Sequence, residues 1–171
     1  MFGNRPSETG DVGLNEFYKI SGWPALAIQY RLSRDKKTTF AAALQNGITV
    51  YVYTLEVLKI PPSQIAFAGD SAGGNLVVAL LRYINEENPG RKAFTPEGWD
   101  SSNSWITFLG NETQLGIPVF VNAGTSEDLY NDTMKFAENL RKKGNEVEVL
   151  ETPNAAHVGT WKTLRLFAWR L

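Results

Sequence analysis

Four short apolar runs, Ala25 to Tyr30, Gln64 to Ala68, Ile117 to Asn122 and Glu146 to Leu150, alternate with stretches of helical periodicity. Runs of this length suit buried strands, and the stretches between them suit amphipathic helices. The clearest helical stripe is Phe40, Leu44, Ile48, Tyr51, Leu55 and Leu58, stopping before Pro61-Pro62, where rings without an N–H end the pattern. Leu76, Val77, Leu80, Leu81 and Ile84 form a second stripe, and Met134, Ala137 and Leu140 a third that ends before Gly144. Strands alternating with helices of this length build βαβ units. The expected fold is therefore α/β, a mostly parallel sheet with helices on both faces. At 171 residues, 43% of them hydrophobic, the chain is expected to hold it as a single domain over 1–171.

Charge and composition remove several functions. Seventeen basic and eighteen acidic residues nearly cancel, and no long run of either sign offers a footprint for nucleic acid or anionic lipid. A small neutral substrate is expected. The absence of cysteine excludes disulfides, thiolate metal sites and a cysteine nucleophile. No apolar stretch approaches the roughly 18 residues that span a bilayer, and the opening Met1-Phe2-Gly3-Asn4-Arg5-Pro6 lacks the apolar core of a signal peptide. The chain reads as soluble and non-secreted, hence cytoplasmic, so the sequons at Asn111 and Asn131 carry little weight. Asn88 to Gly116, rich in Gly, Pro, Asn and Ser, reads as a long loop or cap segment.

The chemistry concentrates at three places. Gly69-Asp70-Ser71-Ala72-Gly73-Gly74 lies where the run Gln64 to Ala68 meets the helix of Leu76 to Ile84, the context of a G-x-S-x-G nucleophile elbow. So tight a strand-to-helix turn strains the serine and leaves no room for side chains at its flanks, hence the glycines. Ser71 would then stand proud of the sheet, with the Ala72 N–H placed to bind an oxyanion at a helix N-terminus. A serine here could instead cap the helix. The coincidence of strand, paired glycines and helix favours the nucleophile.

His157, the one histidine of the chain, follows the last apolar run and comes after Ser71 in the sequence, where a general base would stand. A neutral imidazole can take the serine proton and return it to a leaving alcohol. The third group, a carboxylate to orient that imidazole, falls in Gly124-Thr125-Ser126-Glu127-Asp128-Leu129. Glu127 and Asp128 both qualify, and either could cap the next helix instead. Spacing alone does not choose between them.

Tyr30-Arg31-Leu32, then Phe40-Ala41-Ala42-Ala43, then Gly69 through Leu76 resemble the hormone-sensitive-lipase-like branch of α/β-hydrolases, which carries Y-R-L, F-P-A-A and G-D-S-A-G-G-N-L. The resemblance runs from about Asp11 to about Trp161. It implies a serine carboxylic-ester hydrolase acting on short to medium acyl esters through an acyl-serine, with no cofactor or metal. Its acid loop, G-x-x-[D/E]-x-L, singles out Glu127, with Asp128 as fallback. The branch also carries an H-G-G-G oxyanion loop before Y-R-L, which on this numbering falls upstream of Met1. The expectation is thus a chain truncated at its N-terminus, without the first strands and part of the cap. Only 56 positions separate Ser71 from Glu127 (127 − 71) and 14 residues follow His157 (171 − 157), while Ala41 stands in place of the proline.

The alternative from another class is an impaired remnant that keeps Ser71, Glu127 and His157 without the oxyanion loop. A phosphate cradle fits helix N-terminus physics but lacks the G-K-[S/T] and G-x-G-x-x-G patterns. A trypsin-like reading fails because that class places its histidine before the serine.

Overall fold

The computed structural model describes residues 14–15, 17–19, 21–34, 38, 41–87 and 112–157. The described residues divide into two compact units, one within Ile28–Asn111 and one within Met1–Ala27 and Glu112–Leu171. The loop or cap expected before Gly116 falls almost wholly on residues 88–111, outside the described residues, as do Phe40 and the segment after His157.

In the unit within Ile28–Asn111, helix α1 (Ala41–Glu56) packs on helix α2 (Ala72–Glu87). From the expected stripes Leu44 and Tyr51 are buried on one helix and Leu80 and Leu81 on the other, where Tyr83, outside the expected stripe, is buried as well. Gly47 faces Leu80 across the contact, and a Cβ there would meet Leu80 Cδ2 at an ordinary packing distance of 3.5 Å. Leu44 is fully buried. Its truncation to alanine would cost about 2–5 kcal/mol.

α1 stops earlier than its apolar stripe, leaving Leu58 exposed, because Val57 and Leu58 N–H groups both close on the Tyr53 carbonyl and Lys59 turns left-handed (φ 56°). Pro61 and Pro62 then start a single 3₁₀ turn, Pro62–Gln64.

The unit that contains residues 112–157 is a βαβ arrangement. Strand β1 (Val119–Gly124), helix α3 (Tyr130–Lys142) and strand β2 (Val147–Thr152) follow in order, with β1 and β2 parallel and paired from Val119↔Val147 to Gly124↔Thr152. α3 packs on both strands through Ala137 and Leu140. It closes at Gly144 (φ 83°), after which Asn145 reaches back to the Leu140 carbonyl and also holds the Leu115 N–H and the Thr113 carbonyl.

The strands differ from expectation in instructive ways. β1 starts two residues late because Gly116 is left-handed (φ 71°) and Pro118 has no N–H for a ladder. Both strands run two residues past their apolar cores, since ladder pairing rather than apolarity sets where they end. Ala25 to Tyr30 and Gln64 to Ala68 are not strands of the described sheet, which has two strands. A strand is defined by its partner, and apolarity supplies only half of that condition. The second segment still alternates: Ile65 and Phe67 are half-buried, and Phe67 stacks at a tilt on Tyr51 of α1, ring centroids 5.8 Å apart.

Candidate active site

Each candidate group sits at an element end. In the unit within Ile28–Asn111, residues 65–70 run into the first turn of α2, and Ser71 lies at the bend with φ 49°, a left-handed conformation that a non-glycine residue adopts at a cost of about 1–3 kcal/mol. A Cβ on Gly69 would overlap the Gly73 carbonyl and lie 2.7 Å from the Gly74 nitrogen, and one on Gly74 would lie 3.1 Å from the Gly69 oxygen. Gly69 is therefore required by the close passage of the chain across itself, whereas the approach at Gly74 is tight but not closed to a side chain. The Asp70 carbonyl accepts from Gly73 N–H at 2.7 Å and Gly74 N–H at 3.3 Å, and the Ser71 carbonyl from Asn75 N–H at 3.1 Å. Ala72 is the first residue of the helix, so its N–H belongs to the set a helix leaves without intrahelical partners.

The Y-R-L residues support this end of the unit. Arg31 Nε donates to Asn46 Oδ1, and its Nη2 to the Ala42 carbonyl and Gln45 Oε1, all at 3.0–3.1 Å, which pins the incoming segment to α1. Burial, then the charge of Asp70, raises the Tyr30 phenol above its ordinary pKa.

In the other unit, Glu127 and His157 meet. Glu127 Oε2 lies 2.6 Å from His157 Nδ1, and its Oε1 accepts the Gly124 N–H at 3.1 Å. The Glu127 side chain is 8% exposed and the His157 side chain 45%. A carboxylate so buried needs partners on both oxygens, and it has them. The α3 N-cap is Leu129, with no side-chain cap bond, so Glu127 does not serve as the helix cap. Asp128 is exposed. An ionised carboxylate only accepts, so in the neutral ring this contact favours the tautomer with its proton on Nδ1 and a lone pair on Nε2.

The pair forms because the loops after β1 and β2 are pressed together. A Cβ on Gly124 would overlap the Ala155 oxygen and lie 2.9 Å from its carbonyl carbon and 3.1 Å from the Ala156 oxygen. Thr125 N–H donates to the Thr152 carbonyl at 3.0 Å, Ser126 N–H to that of Ala155 at 3.1 Å, and Asn154 N–H to Thr125 Oγ1 at 2.9 Å. The Tyr130 phenol donates to Glu151 Oε2, tying the start of α3 to the end of β2; that hydrogen bond, before slight burial and the Glu151 charge, raises the phenol pKa. Thr125 and Asn154 escape sequence reading because their partnership spans 29 positions, although Asn154 after Pro153 does signal a turn. Gly124→Ala should lower stability by roughly 2 kcal/mol or more, read as a lower urea midpoint at unchanged slope.

The sequence profile of a family described as alpha/beta hydrolase fold matches residues 2–98. The chain belongs to the α/β-hydrolase-fold family. An acetyl-hydrolase of Streptomyces hygroscopicus is 36% identical over 66 residues, 39% of this chain and 21% of the relative's length. Among solved structures, an esterase/lipase from an uncultured bacterium superposes with a TM-score of 0.73 at 21% identity, over 90% of this chain and 64% of the other. An esterase of Pyrobaculum calidifontis gives 0.76 at 15%, over 94% and 66%. A hormone-sensitive lipase from a metagenome library gives 0.75 at 21%, over 90% and 65%. At such identities these neighbours establish the α/β-hydrolase fold, and the chain spans less than two thirds of their length. Among the described residues, no helix is long and apolar enough to cross a membrane, and no cluster of three metal-ligating side chains occurs.

Proposed function

We propose that this α/β-hydrolase is a serine carboxylic-ester hydrolase for short to medium acyl esters, with Ser71 as nucleophile, His157 as general base, Glu127 as the acid and Ala72 as oxyanion donor. The observation that carries this reading is the left-handed backbone of Ser71 inside a turn that excludes side chains at Gly69. A cap needs no such strain, whereas an exposed nucleophile does. The Glu127–His157 pair supports it, since the proton on Nδ1 leaves Nε2 free of one as a base requires.

In the proposed reaction Ser71 Oγ bonds to the ester carbonyl carbon as its proton passes to His157 Nε2. The carbonyl oxygen becomes an oxyanion that accepts from the Ala72 N–H. As the intermediate collapses, the ester C–O bond breaks and the departing alkoxide takes the proton from Nε2. Water then gives a proton to the same nitrogen as its oxygen bonds to the acyl carbon; the bond to Ser71 Oγ breaks, Oγ takes the proton back from Nε2, and the carboxylic acid is released.

A fluorophosphonate probe tests the assignment, because it reports an activated serine whatever the natural ester. Label is expected on Ser71, and Ser71→Ala should remove it. Label on another serine, persisting in that variant, would refute the nucleophile.

A further inference from the structure

Beyond the last ladder pair, Gly124↔Thr152, the loops carrying Glu127 and His157 are joined, besides the contact of those two side chains, by three hydrogen bonds. Two of them, Thr125 N–H to Thr152 O and Ser126 N–H to Ala155 O, use main-chain atoms that any residue but proline supplies. The third, Asn154 N–H to Thr125 Oγ1 at 2.9 Å, needs a hydroxyl at position 125. It closes on Asn154, whose φ of 57° is the left-handed conformation that asparagine tolerates better than most residues. That residue lies three positions before His157, and its turn is also held by Ala155 N–H on the Thr152 carbonyl at 3.3 Å.

We propose that Thr125 is a positioning residue for His157: its hydroxyl fixes the histidine loop against the acid loop, and so sets the Glu127–His157 contact. Glu127 has its own anchor in the Gly124 N–H, so losing the hydroxyl loosens the turn at Asn154 on the histidine side, where the two main-chain bonds remain, and leaves the carboxylate in place. A charge-assisted contact of 2.6 Å weakens steeply with length and angle. The kinetic part of this inference rests on the esterase reading, whereas the structural part does not.

The test uses the full chain labelled with ¹⁵N, in which both imidazole nitrogen signals belong to His157, the single histidine. In alkaline buffer the neutral ring of the wild type should carry its proton on Nδ1. Thr125→Val, close to isosteric, should move the two nitrogen shifts toward the mixed tautomers of free histidine, and Thr125→Ser should restore the wild-type pattern. With p-nitrophenyl butyrate, kcat should fall about tenfold to a hundredfold in Thr125→Val, with KM changed by less than about twofold, and recover in Thr125→Ser.

A folded Thr125→Val with wild-type tautomer and kcat would overturn the proposal, even if its melting temperature dropped, because the hydroxyl would then be merely structural. Should that variant fail to fold, Thr125→Ala takes the same measurements. Absence of turnover in the wild type would count against the esterase reading alone, and the tautomer shift would still decide the role of Thr125.

Discussion

Ser71→Ala and His157→Ala should each lower kcat toward p-nitrophenyl butyrate by on the order of 10⁶-fold, and the double variant should fall little further. The physical reason is that neither group does its work alone. A serine hydroxyl without a base is a weak nucleophile near neutral pH, and an imidazole without the hydroxyl has no proton to relay. What survives should come from binding and from the Ala72 N–H, worth about 10³–10⁴ over water where comparable sites have been stripped of their triads. Ser71→Ala also relieves nothing in the backbone, because alanine is as strained as serine at φ 49°, so the elbow should keep its shape and the loss should report chemistry. The measurement is kcat for the two single variants and the double, alongside circular dichroism to show that each is folded. Losses that multiply in the double variant would give Ser71 and His157 independent roles and break the proposed relay.

Legibility follows the range of the interactions. The tight turn at the start of α2 is legible because its determinants lie within six residues, Gly69 to Gly74, and the same short segment holds the close passage seen in the fold. α2 and α3 were readable because their apolar stripes repeat locally. Ala25 to Tyr30 and Gln64 to Ala68 show the opposite case: apolar alternation survives at Ile65 and Phe67, yet strand identity depends on a neighbour that the local sequence does not name. The choice between Glu127 and Asp128 was equally non-local. It turns on the β1–β2 register, which sets Gly124 against the chain at Ala155 and brings His157 to one carboxylate and not its neighbour.

Glu127→Gln should cost about 10⁴-fold in kcat, whereas Asp128→Asn should cost little. The glutamine keeps the size of the side chain but reverses its hydrogen-bonding character on one atom. A carboxylate can only accept from Nδ1–H, but an amide can present its NH₂ to Nδ1 and so favour the tautomer with the proton on Nε2. That tautomer cannot take the Ser71 proton. The same substitution removes the negative charge that would steady the imidazolium once the proton has moved, and it leaves the Gly124 N–H with an acceptor only if the amide oxygen keeps the place of Oε1. Glu127 is 8% exposed, so water compensates little for the lost charge. Asp128 is exposed, and its neutral isostere changes only a solvated site. The ¹⁵N shifts of the His157 ring separate the two contributions: a switch of the ring proton to Nε2 in Glu127→Gln marks the tautomer effect, and a kcat loss without that switch marks the charge. A larger loss in Asp128→Asn than in Glu127→Gln would transfer the role to Asp128, and would mean that the 2.6 Å pair of Glu127 and His157 is a structural tie between two loops rather than the acid and base of a hydrolase.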